Sequence, residues 1–134
     1  MCCNEDCACH AETFDWTVTI SGLPSCTDLN GAQSHLAASF VNVGAAGGGC
    51  RIWESVIAGT YNDGTDHDAT FTLRQYWDGT NLRASYVISV PDIPITITYA
   101  DAIVGAATCV ALASTNGDGA DCGSGSSAAS YLAF

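Results

Sequence analysis

Between Phe14 and Ser21 the chain alternates without a break: Phe14, Trp16, Val18 and Ile20 fall on one side, Asp15, Thr17, Thr19 and Ser21 on the other. A period of two in aromatic and β-branched residues predicts a strand with one buried face. Gly22-Leu23-Pro24-Ser25 ends it, and a loop carrying Asn30-Gly31 follows. Leu36 to Val43 is the next predicted strand, stopped by the glycine- and alanine-rich run 44–49. A third covers about Cys50 to Thr60 and gives way to a polar loop from Asn62 to Asp68. Thr70 to Trp77 and Leu82 to Val90 then flank Asp78-Gly79-Thr80-Asn81, and Asp-Gly between two alternating runs is a strong hairpin signal. Pro91 and Pro94 separate that hairpin from a strand at Ile95 to Tyr99. Ile103 to Ala113 is ambiguous: its alanines permit helix, while Ile, Val, Thr and Gly105 favour strand, and it is read as strand. A Gly/Ser/Asp loop from Ser114 to Ser127 precedes a last short segment, Tyr131 to Phe134.

Short strands with turn signals about every 8–12 residues predict an all-β fold, an antiparallel β-sandwich or jelly-roll-like barrel. The expected core contains Trp16, Val18, Ile20, Leu73, Tyr86, Ile88 and Ile97. No repeat or linker divides the pattern, so residues 13–134 read as one domain behind a short cysteine-rich N-terminal extension, residues 1–12.

Composition narrows the partners. Fourteen acidic residues stand against three arginines and no lysine, a formal net charge of −11 in 134 residues. Such a surface repels phosphate backbones and anionic headgroups, which argues against nucleic acid and membrane surfaces. The apolar stretches are short, far below the roughly 20 residues of a spanning helix, so no membrane insertion is expected.

The eight cysteines form two groups. Cys26, Cys50, Cys109 and Cys122 are scattered near predicted strand ends, and four cysteines allow three pairings. Local closure favours Cys26–Cys50 and Cys109–Cys122, each clamping a glycine-rich loop at about 3 kcal/mol in the chain-entropy view. The competing reading is buried thiols acting as small hydrophobes. Cys2, Cys3, Cys7 and Cys9 instead crowd the first ten residues with His10. Their spacing is neither the haem-attachment motif nor a zinc knuckle. Soft thiolates with one imidazole suit a structural zinc or iron. Disulfides to neighbouring chains and a tail without a role are the alternatives. Eight cysteines suggest oxidising surroundings, yet the residues after Met1 lack the positive end and apolar core of a secretory signal. A particle made in a host cytoplasm and released by lysis reconciles the two.

Two further constellations are candidate sites. Asp63, Asp66 and Asp68, in the Gly-containing loop that also holds Asn62 and His67, offer oxygens for calcium, though without the EF-hand order. A solvated hairpin loop is the plainer reading. Trp53, Tyr61, Tyr76 and Trp77 lie on or near the predicted central strands and could form a sugar-stacking platform or an interface. Tyr76 and Trp77 are neighbours in one strand, so one of them must face outward. Catalytic signatures are missing: no nucleophile elbow, no His-Glu-x-x-His, and His35 and His67 far apart in sequence. The sequence reads as a non-enzyme.

The leading cysteine cluster is followed by Val18-Thr19-Ile20-Ser21-Gly22-Leu23, by Cys26 with Leu29-Asn30-Gly31, and by Gly49-Cys50-Arg51-Ile52-Trp53. Over roughly these first 55 residues the chain resembles small cysteine-rich β-proteins among the virion genes of tailed bacterial viruses. That resemblance implies a structural component of the particle, such as a tail fibre, baseplate or capsid-decorating subunit. It implies a homo-oligomer among other virion proteins, and no catalytic residues. The alternatives are a carbohydrate-binding module, with host-surface glycans as ligands, and a secreted disulfide-stabilised domain.

Overall fold

Alternation sets the long strands. In the computed structural model, which describes residues 15–23, 26–45, 51–77, 82–93, 95–105, 110–115 and 127–133, nine strands are present among the described residues. They are β1 (Trp16–Ser21), β2 (Gly31–His35), β3 (Val41–Ala45), β4 (Arg51–Asn62), β5 (Asp66–Trp77), β6 (Leu82–Val90), β7 (Ile95–Gly105), β8 (Val110–Thr115) and β9 (Ala128–Ala133). Two 3-10 turns, Thr27–Leu29 and Ala37–Ser39, bracket β2. The all-β expectation holds.

All pairings are antiparallel, and the strands follow one another in the order β2-β1-β9-β8-β7-β6-β5-β4-β3. This hydrogen-bonded series folds over on itself, so that two antiparallel layers pack as a β-sandwich. His35 of β2 reaches Ser55 of β4 and Tyr86 of β6, and the Tyr86 and Tyr131 rings meet edge to face at 6.4 Å, tying β9 to β6. From β3 to β9 each strand neighbours the next, a meander without a Greek-key crossing.

Every expected core residue is buried: Trp16, Val18, Ile20, Leu73, Tyr86, Ile88 and Ile97. Each such side chain withdrawn from water contributes about 1.5–3 kcal/mol. Several element boundaries differ from the sequence reading. Gly31–His35 pairs with β1 as an edge strand, although Gly-Ala-Gln-Ser-His carries no apolar alternation. Leu36 to Val43 is not one strand, because Ala37–Ser39 forms a turn whose Ser39 N–H reaches the Leu36 carbonyl at 2.9 Å. Ile103 to Ala113 divides between β7 and β8, since an irregularity opposite Ala84 and Tyr86 lets β7 run on through Ala102.

Asn30 bridges the loop after β1. Asn30 Oδ1 accepts the Leu23 N–H at 3.0 Å, while Asn30 Nδ2 donates to the Leu23 carbonyl at 3.2 Å. At the sheet edge, β3 carries a bulge between Asn42 and Gly44, and the Gly44 N–H is capped by Asn42 Oδ1. A bulged, self-capped edge is a poor template for strand addition.

Gln75 is the costly residue of the core. It is wholly buried between Trp53 of β4 and Ala84 of β6, and among the described residues no group hydrogen-bonds its Oε1 or Nε2. A buried polar group without a partner costs about 1–3 kcal/mol. Gln75→Met should therefore raise stability by about 1–2 kcal/mol in urea denaturation. A loss of stability would instead mean that an internal water satisfies the amide.

Candidate functional site

His35 ends β2 and points between the layers. Its Nδ1 lies 2.9 Å from Ser55 Oγ, and its Nε2 lies 2.8 Å from Tyr86 Oη. Ser55 Oγ in turn lies 2.6 Å from Ser39 Oγ, which donates to the Leu36 carbonyl at 2.6 Å. The row runs from the core at Tyr86 to the partly exposed turn at Ser39. Because the single Ser39 hydroxyl proton goes to the Leu36 carbonyl, Ser55 Oγ donates to Ser39 and accepts from the His35 Nδ1–H, while Nε2 accepts from the Tyr86 hydroxyl. Burial lowers the imidazole pKa from 6.5 to about 4, and a hydrogen bond to the Ser55 backbone pulls weakly the other way. Burial pushes the Tyr86 hydroxyl far above the ordinary tyrosine range, and Tyr131 adds to that. A serine beside a histidine suggests a nucleophile and its base. Here both side chains are fully buried and the histidine is a weak base at neutral pH, so the pair is withheld from a substrate. It joins the two layers as a satisfied polar network.

The acidic loop is the second constellation. Strands β4 and β5 run further than the sequence suggested, leaving only residues 63–65 between them, with Gly64 at a positive φ of 113°. Asn62 Oδ1 accepts the Gly64 N–H, Asp63 Oδ1 accepts the Thr65 N–H, and Asn62 Nδ2 donates to Asp66 Oδ1. Asp63 also takes His67 Nε2 at 3.0 Å, which holds its carboxyl below the usual range. Asp92 lies 3.7 Å from the other ring nitrogen, and the Tyr61 ring stacks on the imidazole. Asp63 and Asp66 are thus engaged in holding the hairpin loop. Among the described residues no three His, Cys, Asp or Glu side chains gather as a metal-holding group. Asp63, Asp66 and Asp68 do not converge on a calcium position.

The aromatic platform needs a correction. Trp53 and Tyr61 are 7% and 6% exposed, on the inner face of β4 with Ser55, so neither can stack on a sugar at the surface. The parity of β4 carried the signal: Glu54, Val56, Ala58, Thr60 and Asn62 occupy the alternate, more polar positions. Tyr76 is half-buried on the outer face of β5, and the Trp77 side chain lies outside the described ones. Of the scattered cysteines Cys26 alone is described; it is buried and disulfide-bonded. Cys50, Cys109 and Cys122 lie outside the described residues, as do Cys2, Cys3, Cys7, Cys9 and His10.

One sheet face, half-buried to exposed along its length, is a further candidate surface. On the outer side of β4 to β7 the register aligns Ala58, Thr70, Ser89 and Thr96 in one row and Val56, Thr72, Val87 and Thr98 in the next. All eight side chains are short and uncharged, and Val56 is 53% exposed. Sequence reasoning had not singled out this face, although each residue has the parity opposite to the core positions of its strand. Among the described residues no helix is long and apolar enough to cross a membrane. Comparison with family models, with curated proteins and with solved structures finds no match to this chain.

Proposed function

We propose that this protein is a non-enzymatic structural subunit that works by docking to copies of itself and to other proteins of a virus particle. One observation carries the reading. The Ser–His pair among the described residues is sealed in the core, while a broad uncharged sheet face stays exposed on a molecule of net charge −11. A site of chemistry is concave and reachable; a docking subunit presents surface. The setting comes from the resemblance of the first 55 residues to virion β-proteins, and the cysteine cluster at residues 2–9 supplies a second means of attachment, by metal or by disulfide. Burial of Trp53 and Tyr61 takes two of four rings from the glycan-binding alternative.

The native mass of the chain, with and without reductant and chelator, tests this. The intact chain should form assemblies that partly dissociate when disulfides are reduced and metal is removed. A chain lacking residues 1–10 should keep its far-UV spectrum and lose that sensitive part of the assembly. An intact chain that stays monomeric at high concentration under all conditions would overturn the reading.

A further inference from the structure

The outer face of β4 to β7 is neutral in its middle and charged at its two ends. At one end, Arg83 on β6 lies opposite Tyr76, and Arg74 on β5 pairs with Glu54 of β4, its Nη2 at 2.6 Å from Oε2. At the other end of β5 stand Asp66 and Asp68, both exposed. Arg74 and Asp68 share one strand and one face, about 20 Å apart at strand spacing. The uncharged rows centred on Thr70 and Thr72 lie between them.

We propose that a second copy of this chain covers this face, the two sheets stacked with strands antiparallel about a two-fold axis that crosses the strands. This deepens the docking reading above by naming a partner and a surface, and it does not depend on the N-terminal cysteines. The charge pattern selects the occupant. Rotation about that axis brings the arginine end of each copy over the aspartate end of the other, so the same attraction is made twice. An isologous interface requires such self-complementarity, whereas an unrelated partner would not require both ends. Elsewhere the chain is so acidic that two copies would oppose like charges; here the centre carries none. Val56 and Val87, seated over Ala58 and Ser89 of the other copy, supply the apolar middle. Standard strand spacings give the face an area on the order of 600 Å². That approaches the roughly 800 Å² per partner of a standard interface.

Sedimentation equilibrium of the full chain, in reductant and chelator, tests the proposal. A dimer should form without thiol or metal links. Asp68→Arg should weaken it at least tenfold by placing a like charge over Arg74 of the other copy. Asp68→Glu, which keeps the charge, should leave it within a few-fold of the parent. Position 68 lies on the solvent side of a long strand, so the far-UV spectrum should not change. A monomer under these conditions overturns the proposal, as does a dimer indifferent to Asp68→Arg. Assembly through the N-terminal cysteines is measured separately, without reductant and chelator, and survives or fails independently.

Discussion

Lowering the pH from 7 to 4 should remove about 3 kcal/mol of stability from this fold, through His35 alone. The imidazole titrates near 6.5 in an unfolded chain and at about 4 in the native core. Between those values the unfolded state binds the extra proton, so stability rises with pH there and is lost as pH falls through 6.5 toward 4. Above pH 6.5 both states hold a neutral ring and the effect is fully present. Protonation forces a charge into a space bounded by Ser55, Tyr86 and Trp16, and one ring nitrogen must stop accepting a hydrogen bond. The stability that the Asp63 carboxyl gains from its hydrogen bond to His67 is present above the ordinary aspartate value near 3.9 and is lost only as pH falls below it. Urea denaturation across pH 4 to 7 measures the slope. His35→Gln, which can hydrogen-bond but does not titrate, should flatten it while lowering stability at pH 7. A slope unchanged in that variant would locate the acid sensitivity elsewhere. Domains of this size are stable by only about 5–15 kcal/mol, so this one ring governs much of the acid tolerance.

Gly59→Val should destabilise the domain by about 3 kcal/mol, the upper end for overpacking a filled core. Gly59 sits in the middle of β4 opposite Ala69, with Phe71 diagonal to it. A Cβ at position 59 would stand 2.5 Å from Phe71 Cε2. The Phe71 ring is 2% exposed and packs against Tyr86 with centroids 6.4 Å apart, so it has little room to retreat. Glycine is a weak strand former, and on an open sheet valine would be an improvement; the ring reverses the sign. Gly59→Ala should cost about 1–2 kcal/mol by the same route. In a Phe71→Leu background the alanine penalty should largely vanish, because the clashing edge is gone. Equal penalties in both backgrounds, read from urea midpoints, would exclude the ring as the cause.

The legible parts of the fold were those where burial repeats with the pleat. Strands β1, β5 and β6 announce themselves because large apolar residues recur at alternate positions, interrupted by Ala69 and Gln75 in β5 and Ala84 in β6, and the expected core residues followed directly. The edges were not legible for the same reason. Gly31–His35 buries only its last side chain fully, so its sequence has no period to read. The site was less accessible still. His35, Ser55 and Tyr86 come from three strands far apart in the chain, and nothing local marks any of them as a partner of the others. Trp53 and Tyr61 misled as isolated aromatics, whereas their shared parity with Ser55 assigned them to the inner face.

The strand order also bears on how the chain acquires its structure. From β3 to β9 every pairing joins consecutive strands, so the meander can grow hairpin by hairpin with little loop-closure entropy at each step. The pairing of β1 with β9 is different, because it joins the first described strand to the last. High sequence separation slows folding, and this one ladder accounts for much of the separation here. This topology favours late docking of the β1–β2 hairpin, which would bring Trp16 and His35 onto a sheet already paired. In that order Ser55 and Tyr86 would stay hydrated until His35 arrives. The histidine that makes the native core sensitive to acid would then enter it at the final step, the step that a falling pH opposes.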